Sequence, residues 1–476
     1  MHLYLTALLI YSIFLMALGV IIGRRVRNSS EFLVAGRSLS AGRLFATLLA
    51  ANIGAASTVG ATGLGYRFGL SAWWWVGSAA IGSFLLSRLL GPRLWRLAKQ
   101  HGFATLQDYL EFRYDKRVKA LISVLFWCGS LTILAGQIIA ISWILEAIAG
   151  IPKWEGCVIG GLVAIVYCTA GGLMASSFVN MFELAVTMSG LLLAVPFTLH
   201  AVGGWTALHA HLAPQASSIN LFSITGAGWR QILAWIAILV PSFMISPGLV
   251  QKVYGARDER AVRLGVGFNA LGQAVFAFVP PILGLCALAA LPHLANPEQA
   301  LPSAIQQLLP KWLGVWILAS IFSAELSATD AILLMLSTSL AVDLYKTFVN
   351  PGVSSRRLLF VSRTTSILAG VAGILLAIVL PSVIAAVSIF YSLLAVALLA
   401  PVVAGLYMRR VLAPAALASI AVSVAVTVTV RYLTQGAGFG ILSPPAAGIA
   451  AAFIVMLGFR ILNPRAISTP GETDAA

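Results

Sequence analysis

Charge is scarce in this 476-residue chain, where Asp, Glu, Lys and Arg together make up 9%. A soluble domain carries about 25% charged residues, so this chain lacks the material to cover a water-facing surface of its own size. Cysteine is nearly absent as well. The four present (Cys128, Cys157, Cys168, Cys286) fall inside apolar runs without a CxxC pair, which excludes a disulfide framework and a zinc site. No HExxH, P-loop or nucleophile elbow occurs in a suitable context, and the six histidines (His2, His101, His200, His209, His211, His293) are scattered, mostly in loops. Nothing supports an enzyme or a bound cofactor. Disorder is excluded too, because 60% of the residues are apolar and the mean hydropathy is +0.96. What remains is an all-α integral membrane protein whose chief partner is the lipid bilayer.

A spanning helix takes about 20 apolar residues. Apolar windows can be read at 3–23, 43–66, 69–92, 118–149, 156–171, 177–202, 229–250, 264–292, 312–341, 358–380, 382–407, 411–430 and 442–462. Thirteen spans put the two ends on opposite sides. With the N-terminus outside, five of the 30 basic residues face out (Arg67, Lys153, Arg230, Lys311, Arg431), and the clusters from Arg24, Arg88, Lys252, Lys346, Arg409 and Arg460 onward face the cytoplasm. This bias is the positive-inside signature, so the net charge of +15 reads as topology and not as a nucleic-acid surface. The first window has no basic stretch before it and no cleavage site after it, which reads as a retained helix. The location expected is the inner (plasma) membrane of a bacterium-like cell, with the C-terminus in the cytoplasm. Lys252 is placed with the cytoplasmic cluster, and no Arg or Lys is expected at the depth of a midplane site.

Two windows are dense in helix breakers. Ala50 to Gly69 holds Gly54, Gly60, Gly63 and Gly65 with the hydroxyls Ser57, Thr58 and Thr62; Val240 to Tyr254 holds Pro241, Pro247 and Gly248 with Ser242 and Ser246. Irregular backbone survives in lipid only where it lines a cavity. The two are the second and seventh windows, the separation that a five-plus-five inverted repeat produces. The organisation expected is one transporter domain: an extra N-terminal helix (3–23), a first repeat (43–202), an inverted second repeat (229–407) and two C-terminal helices (411–462). Acids at the helix centre cost about 2.5–3.5 kcal/mol each on insertion scales, yet the chain keeps Glu183, Glu325 and Asp330 inside spans. They should face a wet cavity, a cation or each other, or serve as interhelical struts. Gln137, Asn180 and Asn52 are weaker versions of the same signal. Trp73, Trp74 and Trp75 are read as an interfacial aromatic belt on the outer side of their helix.

In chain order, the segments EFLVAGRSL (Glu31 to Leu39), Ala50 to Gly69, TLQDYLEFRY (Thr105 to Tyr114), AGGLMASSFVNMFE (Ala170 to Glu183), VQKVYGARDE (Val250 to Glu259), Ser323 to Lys346 and LAPVVAGLYMRR (Leu399 to Arg410) resemble the sodium:solute symporter family over nearly the whole chain. The resemblance implies the inverted-repeat fold of the bacterial leucine transporter, with sodium as the coupling ion. Carried over by position, the sodium ligands are Ala50 and Ile53 on the first broken helix and Ala324, Ser327 and Ala328 on the ninth helix. The chain departs from the family twice. Ser327 is followed by Ala328 where a second hydroxyl is usual, and Val179-Asn180 stands for the frequent Thr-Asp, with Glu183 in place of Gln.

Those departures leave the coupling open. Sodium binds with Asp330 or a water replacing the lost hydroxyl, or protons drive transport through Glu183 or Asp330 with Asn180 in the relay, or transport is uncoupled or exchange. The solute is expected between the two broken helices, lined by Gly54, Ser57, Thr58, Ser242, Phe243 and Ser246, with Gln137 and Tyr391 from neighbours. Helix ends there favour an anionic or polar group. The polar side chains of sugar-carrying relatives are missing at the matching places, where Leu239 and Ser57 stand. The solute expected is a small organic one, such as an amino acid or monocarboxylate. A solute sensor on the same fold is the rival reading, and no signalling domain is evident for it.

Overall fold

The computed structural model describes residues 34–168, 172–213, 219–408 and 411–462, together with positions 6, 8–14, 17 and 21; for 167, 168 and 172–178 it describes the backbone alone. Most of the 3–23 window, Arg24, Glu31, Arg409, Arg410 and the tail after Leu462 lie outside the described residues, as do the side chains of most of the Ala170 to Glu183 motif.

The helices follow the apolar windows closely. α1 (Ala41–Asn52) and α2 (Val59–Phe68) are the halves of one broken span; α3 (Trp73–Leu85) runs through a wide π-type turn into α4 (Gly91–His101). The short α5 (Leu106–Arg113) leads to α6 (Lys116–Ala149), α7 (Lys153–Cys168), α8 (Gly172–Ala201) and the short α9 (Gly204–Leu212). α10 (Trp229–Ile245) and α11 (Pro247–Tyr254) form the second broken span, followed by α12 (Glu259–Phe276), α13 (Val279–Ala290), α14 (Ala300–Leu308) and α15 (Lys311–Thr338). α16 (Ser355–Val379), α17 (Val383–Tyr407), α18 (Ala413–Leu433) and α19 (Pro444–Leu462) complete the order. Among the described residues no strand forms, only two isolated bridges. Polar residues set the boundaries: Asp115 Oδ1 accepts from the Arg117 and Val118 amides, both at 2.9 Å, to start α6. Gly150 ends that helix in the left-handed conformation, φ 65°.

Ten helical stretches among the described residues are long and apolar enough to cross a membrane. The three remaining windows are the one mostly outside the described residues, the one broken into α1 and α2, and α7, which has 16 residues. α15 is enclosed by its neighbours on nearly every side, with 94% of its spanning window buried, whereas α19 has 22%. An all-round apolar helix belongs at the centre, and α15 therefore forms the floor on which the site is built. The expected Trp73–Trp75 belt is not what the fold makes: Trp75 is buried and the other two are half-buried. Exposed tryptophans instead begin helices beside a basic residue, as at Lys153-Trp154, Trp229-Arg230 and Lys311-Trp312, the pattern of an interfacial girdle.

The motifs outside the breaks meet at one end of the bundle. Leu39 N donates to the Gly255 carbonyl at 2.9 Å and Arg257 N to the Leu39 carbonyl at 3.0 Å. Arg37 reaches the carbonyls of Phe103 (2.8 Å) and Tyr254 (3.2 Å). Thr105 donates to Asp343 Oδ1 at 2.7 Å while capping α5 with Asp108. Arg113 holds the Gly405 and Met408 carbonyls (2.8 and 2.5 Å), and Lys119 pairs with Asp108 and Glu111 at 2.8 Å each. These segments latch the cytoplasmic connections expected from the sequence to one another.

At the far end of the first broken span, Glu298 acts as a clamp. Its Oε2 accepts from Val383 N (2.8 Å) and Trp143 Nε1 (3.3 Å) and its Oε1 from Ile384 N (2.9 Å), so a carboxylate caps α17 while the loop beneath it presses on Gly63. Burial, against these bonds and the pull of Arg67, holds the Glu298 carboxyl above its ordinary value. The folded protein then binds this proton more readily than the unfolded chain. The stability it contributes is full below the unfolded value of about 4.3 and is lost as pH rises through the folded value. Glu298→Gln is expected to remove that downward slope above about pH 4, as read by thermal unfolding of both proteins. An unchanged slope assigns it to another group.

Candidate functional site: two broken helices over a central helix

The first break is a set of diverted backbone bonds. The Gly54 amide, which would continue α1 by bonding the Ala50 carbonyl, donates to Ser57 Oγ at 3.0 Å. The Ala55 amide goes to Gln137 Oε1 (2.9 Å), and the Ser57 amide turns back to the Gly54 carbonyl (2.9 Å) in place of Ile53. The carbonyls of Ala50, Ala51 and Ile53 are thus released from the helical ladder where they can serve a cation. Ser57 Oγ is consumed by its own turn, within 3.1 Å of the Asn52 and Gly54 carbonyls. Thr58 Oγ1 donates to Glu325 Oε1 at 2.7 Å.

The break rests directly on α15. A Cβ added at Gly54 would stand 2.5 Å from Ala328 Cβ and 2.8 Å from Gln137 Oε1, so glycine alone permits this approach. Ala324, Ser327 and Ala328 are buried on the same helix, and Ala328 is the one that meets the break at Gly54. Ser327 Oγ donates to Asn180 Oδ1 on α8 at 3.2 Å, which ties α15 to α8 at this level. Glu183, fully buried, acts electrostatically on Tyr11 of the N-terminal helical residues, and the Tyr11 hydroxyl donates to Ser323 Oγ at 2.7 Å.

In the second break, Ser246 leaves the helical conformation (ψ 121°) and Pro247 starts α11 without an amide to donate. Ser242 Oγ lies 2.6 Å from the Ile238 carbonyl and 2.7 Å from that of Tyr391, tying α10 to α17. The Phe243 and Tyr391 rings meet at 5.4 Å. Between the two breaks lies a cavity of about 60 Å³ lined by Gly54, Gln137, Ser242, Phe243, Ser246 and Tyr391, with Met335 and Ile133 among its apolar walls. Six of the eight expected solute residues are brought together; Ser57 and Thr58 face elsewhere. A larger hollow of about 730 Å³ lies at the motif end, where Lys119 in its wall pairs with Asp108 and Glu111.

Three contributors are not among the site residues read from the sequence. Trp75 donates to the Ala56 carbonyl at 2.9 Å and packs on Tyr391 and Trp235, so it supports the break. Glu325, read only as a buried acid, is the group that holds Thr58. Lys252 corrects the expectation of no base at this depth, because it lines the cavity and is buried. Its signal was present in helical spacing: Gly248 and Lys252 are four residues apart on α11 and share a face.

The sodium:solute symporter family model matches residues 32–423. The chain belongs to this family. It is 27% identical to the sodium/pantothenate symporter of Escherichia coli over 466 residues, 92% of each protein, and 24% identical to the sodium-coupled monocarboxylate transporter 2 of Danio rerio over 75% of this chain and 59% of that protein. A substrate-bound, outward-open, sodium-coupled sialic acid symporter superposes with a TM-score of 0.82 over 98% of both chains at 18% identity, which establishes the shared fold. The expected all-helical, leucine-transporter-like architecture is the one found. The symporter is thus a multi-pass membrane transporter and not an enzyme.

Proposed function

We propose that this symporter couples sodium to the uptake of a small organic solute by alternating access, with sodium held by the released carbonyls of Ala50 and Ile53 together with Ala324, Ser327 and Ala328, and Asp330 one turn further supplying negative charge. The observation that carries the reading is the diversion of the Gly54 and Ser57 amides, which frees those two carbonyls against α15. A hard cation takes oxygen ligands, and unwound backbone supplies them. The solute occupies the cavity between the breaks. The 43–202 and 229–407 halves are inverted repeats, the N-terminus faces outward and the C-terminus the cytoplasm.

Purified protein unfolded thermally in sodium or potassium chloride at matched ionic strength tests this without a known solute. Sodium at ten times its Kd is expected to add about 1.4 kcal/mol of stability; equal melting in both salts overturns the ligand set. Proton coupling is the second reading, and Glu325 favours it: the side chain is fully buried and its Oε2 has no hydrogen-bond partner. In that case melting follows pH and is blind to sodium.

A further inference from the structure

The sodium and solute assignments leave one buried base of the cavity unused. Lys252 lines the cavity one helical turn beyond Gly248 and is 4% exposed. An ammonium carries three N–H donors, and here it makes one hydrogen bond, a long one of 3.4 Å to the Thr47 carbonyl. None of the ion pairs among the described residues includes it. The Asp330 carboxylate on α15 acts on it from beyond ion-pair distance. A buried charge without a close counter-charge is costly, and inside a membrane such a residue marks the path of a ligand. The break at Ser246, which starts α11, faces the same space and adds a helix N-terminus that favours negative charge.

We propose that Lys252 selects an anionic solute, so that the transported molecule carries a carboxylate which the ammonium meets in the cavity. Phe243, Met335 and Ile133 give the cavity an apolar side beside the polar Gln137, Ser242 and Ser246, and the small volume there suits a short carbon chain with one polar end. The transported class is then small monocarboxylates. This rests on the reading of the cavity as the solute site. The plainer role is a strut, in which Lys252 only ties α11 to α1 through Thr47.

The test uses the full-length protein in sodium, with butyrate and lactate as probes against their uncharged amides, butyramide and lactamide. The acids are expected to raise the melting temperature and the amides to leave it unchanged. Lys252→Gln is expected to weaken acid binding at least about tenfold while keeping the sodium response, and Lys252→Arg to retain binding. Amides that bind as well as acids, acids that none of these measurements detects, or a Lys252→Gln protein that binds acids like the unaltered one would each overturn the inference. Should Lys252→Gln fail to fold, the acid-against-amide comparison on the unaltered protein decides alone. Sodium-driven uptake of an uncharged solute into liposomes, without acid binding, overturns the inference and leaves symport standing. Acid binding without any sodium-driven uptake does the reverse.

Discussion

Gly54→Ala is expected to reduce sodium-driven uptake in liposomes at least about tenfold, because a site held to within about 0.5 Å loses function when its supports shift further. The new methyl group would stand 2.5 Å from Ala328 Cβ, and neither carbon can rotate away. The break must therefore back off from α15, which separates the Ala50 and Ile53 carbonyls from Ser327 and strains the Ala55 amide bond to Gln137. Overpacking of this kind costs about 1–3 kcal/mol of stability, so uptake is compared per folded protein. The double variant Gly54→Ala with Ala328→Gly removes the clash and is expected to recover part of both losses, the coupling that contacting residues show. Uptake within twofold of the unaltered protein, an error band of roughly 0.4 kcal/mol, would mean that this crossing does not shape the sodium site.

The second large effect is expected at Glu325. Glu325→Ala takes away the shorter of the two acceptors of the Thr58 hydroxyl and leaves it the Gly54 carbonyl at 3.0 Å; the hole left beneath the first break should lower unfolding stability by about 2–4 kcal/mol. Glu325→Gln keeps an acceptor for Thr58 and fills the same space in a fully buried place, so it should stay within about 1 kcal/mol. Chemical denaturation of the three proteins separates the outcomes. An alanine variant as stable as the glutamine variant would show that the carboxylate does not hold the break. If protons are the coupling ion, the glutamine variant would fold normally yet lose the pH dependence of transport.

Much of this arrangement was legible in one dimension. Breaker density located both interrupted spans, since irregular backbone survives at membrane depth only where it lines a cavity or is buried in protein. The apolar windows located the helices, because a spanning segment must satisfy its own backbone. What stayed illegible depended on side-chain direction across distant elements. The Trp73–Trp75 run has the composition of a belt, and only the packing of α3 against α10 turns Trp75 inward onto Ala56. Lys252 sits in a basic cluster by position in the chain but in the cavity wall by position in the fold. Ser57 and Thr58 look like cavity hydroxyls from their spacing. The turn that breaks the helix consumes the first, and Glu325, 267 residues away, consumes the second.

That last separation bears on how the protein is made. The first break depends on partners that do not yet exist when it leaves the ribosome: Gln137 lies 82 residues downstream of Ala55, and Glu325 lies 267 downstream of Thr58. At about 5–20 residues per second, the second partner arrives roughly 13–53 seconds later. Until then the segment from Ile53 to Thr58 lacks the full set of acceptors that its broken form uses, and a regular helix is the form in which it satisfies its own amides. The break is therefore expected to open late, once α15 is in place beside it.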